Sequence, residues 1–119
     1  MHYGLLGGNL SHSYSPQIHS AFANYDYCLM EVEPDNLEAF MRNANFSGIN
    51  VTIPYKKAVI PFIDEISPEA EAIGAVNTIV KRGSRIYGYN TDYFGFCYMV
   101  RSSGIDLSGK KAIVFGTGG

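Results

Sequence analysis

The sequence predicts an α/β fold, a mostly parallel sheet with helices on both faces and one antiparallel hairpin. Three observations carry this. Short apolar runs of strand length alternate with stretches of helical spacing, the arrangement that builds parallel sheets from βαβ units. Two strand-like runs, Val76 to Lys81 and Arg85 to Tyr89, flank Arg82-Gly83-Ser84, a turn short enough to force antiparallel pairing. The chain has 119 residues with 46% hydrophobic and 17% charged, which suits one domain with a real core.

The elements follow in order. HYGLLGGN is an apolar run closed by two glycines, a first strand and a turn. Pro16 at a first helical position with Ser15 as N-cap starts a helix through Ile18, Ala21 and Phe22. Tyr25 to Val32 has strand-forming aromatics and an apolar centre, and Pro34-Asp35 leads into a helix carrying Leu37, Phe40 and Met41. GINVTIPYKK at 48–57 alternates Ile49, Val51 and Ile53 on one face with Asn50 and Thr52 on the other. Pro54, without an N–H, ends that strand.

AVIPFIDEI reads as a short helix interrupted at Pro61, and Ser67-Pro68 starts another, closed by Gly74. The hairpin comes next, with Asn77 inside its first strand. Asn90, Thr91 and Asp92 open a helix ended by Gly104. After a polar link, Lys111 to Gly119, KAIVFGTGG, reads as a strand running into glycines, the beginning of a dinucleotide-binding fingerprint.

Charge and cysteine content narrow the partners. The formal charge is −2, and no run of Lys and Arg exceeds two, so the basic patch that nucleic acid or a membrane surface requires is absent. A small ligand is expected. Cys28, on a strand, and Cys97, on a helix, show no CxxC or metal-like spacing; they are expected to be buried, reduced thiols, with no metal site. Without a signal peptide or long apolar stretch, a cytoplasmic location is expected.

Four places carry possible chemistry. Ser13 and Ser15 lie two apart in an extended segment just before a helix N-terminus, where free N–H groups and the helix dipole favour a carboxylate or phosphate; Ser15 as a simple cap is the alternative. Lys56 follows the carboxyl end of its strand, where open α/β sheets place ligand sites, although a solvated lysine is the common case. Asn77 in a β-branched strand needs several hydrogen-bond partners, from neighbouring backbone or from a ligand. Asp92 in a first helical turn is explained equally by the helix dipole.

HSYSP at 12–16, NVTIPYK at 50–56, IGAVNT at 73–78, GYNTD at 88–92 and the terminal GTGG, in this order, together resemble the substrate-binding domain of shikimate dehydrogenase over essentially the whole chain. The resemblance implies an NADPH-dependent reduction of 3-dehydroshikimate to shikimate, in chorismate and aromatic amino-acid biosynthesis. It implies a substrate-binding domain over 1–104. Residues 105–119 would then be a linker and the first strand and turn of a Rossmann NADP-binding domain that the sequence does not include. The polypeptide reads as an inactive fragment. Two departures stand out: Asn9 replaces a proline common in relatives, and a substrate-contacting glutamine that the family draws from a late helix lies beyond the chain.

By that resemblance Ser13 and Ser15 bind the shikimate carboxylate, and Asn50, Thr52, Lys56, Asn77 and Asp92 meet the ring hydroxyls. Lys56 and Asp92 form the catalytic pair. Gly116, Gly118 and Gly119 would supply part of the cofactor turn. Tyr14 and Tyr55 are expected as pocket walls rather than reagents. A relative that prefers quinate or NAD, and a non-catalytic module for a hydroxylated carboxylic acid, are the alternatives. The uncharged AIVF run is expected to be available for strand pairing with another chain.

Overall fold

The computed structural model describes residues 2–22 and 24–116. These form β1 (Tyr3–Gly7), α1 (Ser15–Phe22), β2 (Tyr27–Glu31), α2 (Leu37–Asn43), β3 (Gly48–Val51), β4 (Glu65–Ile66), α3 (Pro68–Ile73), β5 (Thr78–Arg82), β6 (Arg85–Tyr89) and α4 (Thr91–Ser102). Short 3₁₀ turns precede α2 at Pro34–Asn36 and β4 at Ile60–Phe62. The sheet order is β2-β1-β3-β5-β6-β4. β1–β2, β1–β3 and β4–β6 are parallel, while β3–β5 and β5–β6 are antiparallel.

Register decides which residues share a face. Leu5 lies opposite Asn50, and Asn50 opposite Thr78, so these three point to one side of the sheet. Leu6, Val51, Ile49 and Ile79 point to the other. That second face carries the core, where Leu6, Val59, Val76 and Ile79 are fully buried with Leu37 and Met41 of α2 and Ala70 of α3. On the first face α1 packs back over β2, its His19 ring stacked on Tyr27. Helices therefore cover both faces, as the alternating pattern predicts.

The topology also gathers one set of loops. β1 and β3 run parallel, so residues after Gly7 and after Val51 emerge at the same sheet edge. Because β5 runs opposite to β3 and β6 opposite to β5, the residues before Thr78 and after Tyr89 emerge there too. This is the carboxyl end of the parallel strands, the usual ligand side of such sheets.

Several local signals are realised in detail. Ser67 Oγ accepts from Ala70 N–H at 3.3 Å, capping α3, and Gly74 closes it at φ 72°, a left-handed value that suits glycine. The hairpin turn is Gly83-Ser84, with Gly83 at φ 62°.

Other expectations need correction. Lys111 to Phe115 is no strand: residues 111–116 carry no regular structure and are exposed, with Phe115 at 95%, since no neighbouring strand satisfies their backbone. The predicted helix over 58–66 shrinks to one 3₁₀ turn around Pro61, followed by β4, because Asp64 N–H and Ser67 N–H bond to the Ile86 and Gly88 carbonyls of β6. Ile53 is 66% exposed: β3 ends two residues earlier, and the chain then turns so that Tyr55 N–H reaches Thr52 O at 2.9 Å. Cys28 is exposed and Cys97 half-buried, not buried, since β2 is an edge strand and α4 buries no side chain. The antiparallel content extends beyond the hairpin to β3–β5.

Gly4 is where β1 has least room. A Cβ there would stand 2.4 Å from the Cys28 carbonyl oxygen and 2.8 Å from Met30 Cε. Gly4→Ala is expected to cost about 1–3 kcal/mol through overpacking against backbone, read as a lower urea midpoint with unchanged slope.

Candidate active site

Asn77 sits just before β5 and is 8% exposed. Its Oδ1 accepts from Thr91 N–H at 2.8 Å and from the Thr78 hydroxyl at 3.0 Å, and its Nδ2 donates to Thr91 Oγ1 at 2.9 Å. Its main chain is equally committed: the N–H donates to Tyr89 O and the carbonyl accepts from Val51 N–H. Asn90 caps α4 by accepting from Tyr93 N–H at 3.2 Å and donates to Ala75 O at 3.0 Å. Two buried amides thus fasten the start of α4 to the segment 75–78. An amide buried without partners costs about 1–3 kcal/mol, so both positions demand the groups they meet.

This attachment fixes Asp92 in the first turn of α4. Lys56 approaches it from the loop after β3, its Nζ donating to Asp92 Oδ2 at 2.6 Å. The lysine side chain is 21% exposed and the carboxylate 59%. Tyr55 sets the lysine's position. Its ring is buried in the core, and its hydroxyl donates to Val32 O; burial, with Glu33 nearby, pushes the phenol's pKa up. Tyr55 is therefore a core anchor rather than a pocket wall. On the other side of Lys56, its carbonyl accepts from Val76 N–H at 2.8 Å.

From Asn77 the polar chain runs inward along the first face of the sheet. Asn50 Nδ2 donates to Thr78 Oγ1 at 3.2 Å, and Asn50 Oδ1 accepts from the Tyr27 hydroxyl at 2.8 Å. Burial raises the Tyr27 pKa to about 12, helped by the neighbouring Tyr25 phenol and opposed by the nearby Ser15 side chain.

Ser13 and Ser15 line a depression of about 430 Å³ together with Thr52, His12, Leu5 and Leu10. The capping roles differ from those predicted. Ser13 Oγ accepts from Ser15 N–H at 3.2 Å, and Ile18 N–H bonds to Tyr14 O. Ser13 keeps its own O–H free to donate, as a carboxylate requires. Tyr14 is 76% exposed and walls nothing among these residues.

The loop behind these serines is held by Glu31, whose carboxylate accepts from Leu10 N–H at 2.7 Å, and by Gly8 N–H to Ile53 O at 3.3 Å. Thr52 N–H bonds to Leu6 O, so the loops after β1 and β3 are stitched together. The structure therefore joins Asn50, Asn77, Lys56 and Asp92 in one cluster with Thr78 and Thr91, and Ser13, Ser15 and Thr52 in an adjoining depression. Sequence reasoning missed Tyr27, Thr78, Thr91 and Glu31. Thr78 and Thr91 had a signal, since each adjoins a residue already singled out; Tyr27 and Glu31 had none.

Of the proposed cofactor turn, Gly118 and Gly119 lie outside the described residues. Gly116 has φ 95°, a Cβ there would meet nothing within 4 Å, and no strand leads into it. The described residues do not form a nucleotide cradle. Among them there is no cluster of metal-ligating side chains, and no helix is long and apolar enough to cross a membrane.

The profile of the family described as "Shikimate dehydrogenase substrate binding domain" matches residues 5–79. The chain belongs to that family. It is 44% identical, over 98% of its length, to a shikimate dehydrogenase (NADP(+)) of Carboxydothermus hydrogenoformans, and 46% identical over 98% to that of Halothermothrix orenii. It spans 44% and 43% of those relatives, somewhat under half. Among solved structures, shikimate dehydrogenase 1 of Peptoclostridium difficile superposes with TM-score 0.91 at 42% identity, over 98% of this chain and 46% of that one. A Thermus thermophilus shikimate 5-dehydrogenase, solved with NADP(H) and shikimate, gives TM-score 0.80 at 33% identity, over 90% and 44%. The polar cluster lies within and just beyond the family match: Ser13 to Asn77 fall inside residues 5–79, and Asp92 lies past its end.

Asn77→Ala would leave the Thr91 N–H without its acceptor. The expected loss is about 1–3 kcal/mol of stability, measurable by urea unfolding, together with a loosened α4 start seen as faster amide exchange at Thr91. Unchanged exchange at Thr91 would separate the asparagine from the helix start.

Proposed function

We propose that this chain is the substrate-binding part of an NADP-dependent shikimate dehydrogenase, which reduces 3-dehydroshikimate to shikimate. The observation that carries this reading is the Lys56–Asp92 pair, 2.6 Å apart, at the edge of a hydroxyl- and amide-rich surface. A polyhydroxylated ring acid matches such a surface. The free Ser13 O–H and the exchangeable Ser15 O–H meet the carboxylate, and Asn50, Thr52, Asn77 and Asp92 meet the ring hydroxyls. The substrate is a free acid in solution, and the location that fits its use is the cytoplasm.

NADPH, as the co-substrate, supplies the hydride to a substrate held by the described residues. Their own part is binding, orientation and the proton. As the carbonyl carbon accepts hydride, negative charge grows on its oxygen. The Lys56 ammonium stabilises that charge and donates the proton, leaving neutral lysine and the new hydroxyl. Asp92 holds the ammonium in place beforehand, so little reorganisation is needed at the moment of transfer.

The division of labour follows. Residues 1–104 form the substrate-binding unit and 105–119 lead toward the nucleotide-binding part. α4 supports this, since Phe94, Phe96 and Tyr98 are exposed at 56%, 62% and 74%, an apolar surface that another folded part would cover. The exposed run Ile113, Val114 and Phe115 has the same character and can pair with another strand.

Three measurements test the reading. Calorimetric titration of the 119-residue chain with shikimate should show binding that Ser13→Ala with Ser15→Ala weakens, whereas NADPH and 3-dehydroshikimate should give no turnover with the chain alone. In a full-length enzyme carrying this segment, Lys56→Ala should lower kcat by about 10²–10⁴-fold with a much smaller change in KM, because a proton donor acts chiefly in the transition state. An equal loss in Lys110→Ala would remove any special role for Lys56.

A further inference from the structure

Tyr27 belongs to none of the motifs that identify the site, yet its hydroxyl occupies a junction within it. It donates to Asn50 Oδ1 at 2.8 Å, with the Ser15 side chain nearby. The ring has little freedom. His19 stacks on it with centroids 3.8 Å apart and planes within 11°, and it borders a cavity of about 200 Å³ shared with Tyr3, Tyr25, Gly48 and Asn50.

What such a hydroxyl does follows from the symmetry of an amide. The two ends of an asparagine side chain are nearly equal in size and opposite in hydrogen-bonding sense, so a single bond leaves the group free to swing or flip. At Asn77 an obligate donor, the Thr91 N–H, fixes the sense. From there the bonds run one way: Thr78 O–H donates to Asn77 Oδ1 at 3.0 Å, so Thr78 Oγ1 accepts from Asn50 Nδ2 at 3.2 Å. This leaves Asn50 Oδ1 to be met by a donor. The Tyr27 hydroxyl is that donor, at 2.8 Å.

We propose that Tyr27 is a positioning residue for the ligand site: its hydroxyl completes a two-point hold on Asn50 and keeps the second Nδ2 hydrogen available to a ligand hydroxyl. Naming the ligand as shikimate rests on the function proposed above; the hold on Asn50 does not.

Tyr27→Phe removes the hydroxyl and keeps the ring against His19. In side-chain amide NMR of the chain without ligand, the Asn50 Nδ2 protons should exchange about tenfold faster in the variant, with the backbone amides of β1 and β3 unchanged. Unaltered Asn50 exchange overturns the proposal. In titrations with shikimate, Tyr27→Phe should weaken binding about tenfold in the wild-type background and less than twofold in Asn50→Ala, since a group acting through Asn50 has nothing left to act on. Equal weakening in both backgrounds overturns it as well. If the wild-type chain binds no shikimate, the functional reading falls, while the exchange measurement still decides the role of Tyr27.

Discussion

The burial of one amide, that of Asn77, is the constraint on which the rest of this site depends. A primary amide taken out of water must find acceptors and donors in fixed directions, or lose more than a typical hydrogen bond is worth. Here those partners are the hydroxyl and backbone N–H of Thr91 and the hydroxyl of Thr78. Meeting that demand pins the first turn of α4 to the head of β5. Asp92 inherits its position from its neighbour Thr91, and an exposed carboxylate acquires a defined partner in Lys56. Among the described residues no buried side-chain polar atom lacks a partner, so this network is closed rather than partly satisfied, the condition under which buried polar groups specify one geometry.

The lysine's side of the pair is set by apolar forces. Lys56 follows Tyr55, whose ring is buried with Val59 and Val76, and the tyrosine's single polar atom is used on Val32 O. A half-exposed ion pair contributes little by itself, about 0–1 kcal/mol. The pair therefore does not hold the loops together; the loops hold the pair. Core packing below and amide bonds above deliver two opposite charges to one point, and stability spent elsewhere appears at that point as preorganisation.

Legibility in the sequence followed the range of the interactions. α3 was readable because Ser67, Pro68 and Gly74 act within one helix, and the hairpin because Gly83 acts within one turn. Strand β4 was not, since two residues become a strand only when β6 lies alongside them. The expected strand at 111–115 failed for the complementary reason: β propensity without a neighbour leaves the backbone unpaired. At the site, Ser13, Ser15, Lys56, Asn77 and Asp92 were marked by residue type and position, and Asn50 by the polar side of its alternating strand and the motif it belongs to. Tyr27 was invisible because a strand aromatic reads as core, and only the fold brings it to Asn50, 23 residues away. Glu31 reaches Leu10 across 21 residues, a link no local pattern encodes.

A closed network also bears on how a ligand is recognised. Asn50, Thr78, Asn77 and Thr91 already bond to one another, so a ring hydroxyl that joins them exchanges or adds bonds rather than rescuing unpaired groups. Each exchange is worth little in affinity, because hydrogen bonds are traded on both sides. Discrimination behaves differently. A ligand that excludes water from these amides without offering a matching hydroxyl leaves polar atoms undersatisfied, and that penalty is larger than the gain from any single matched bond. A surface of this kind favours discrimination among polar ligands over raw affinity. The Lys56 ammonium stands outside this amide chain, bonded to a carboxylate that is itself more than half exposed. An ammonium so placed can follow charge as it moves, the property that the proposed proton-donor role requires.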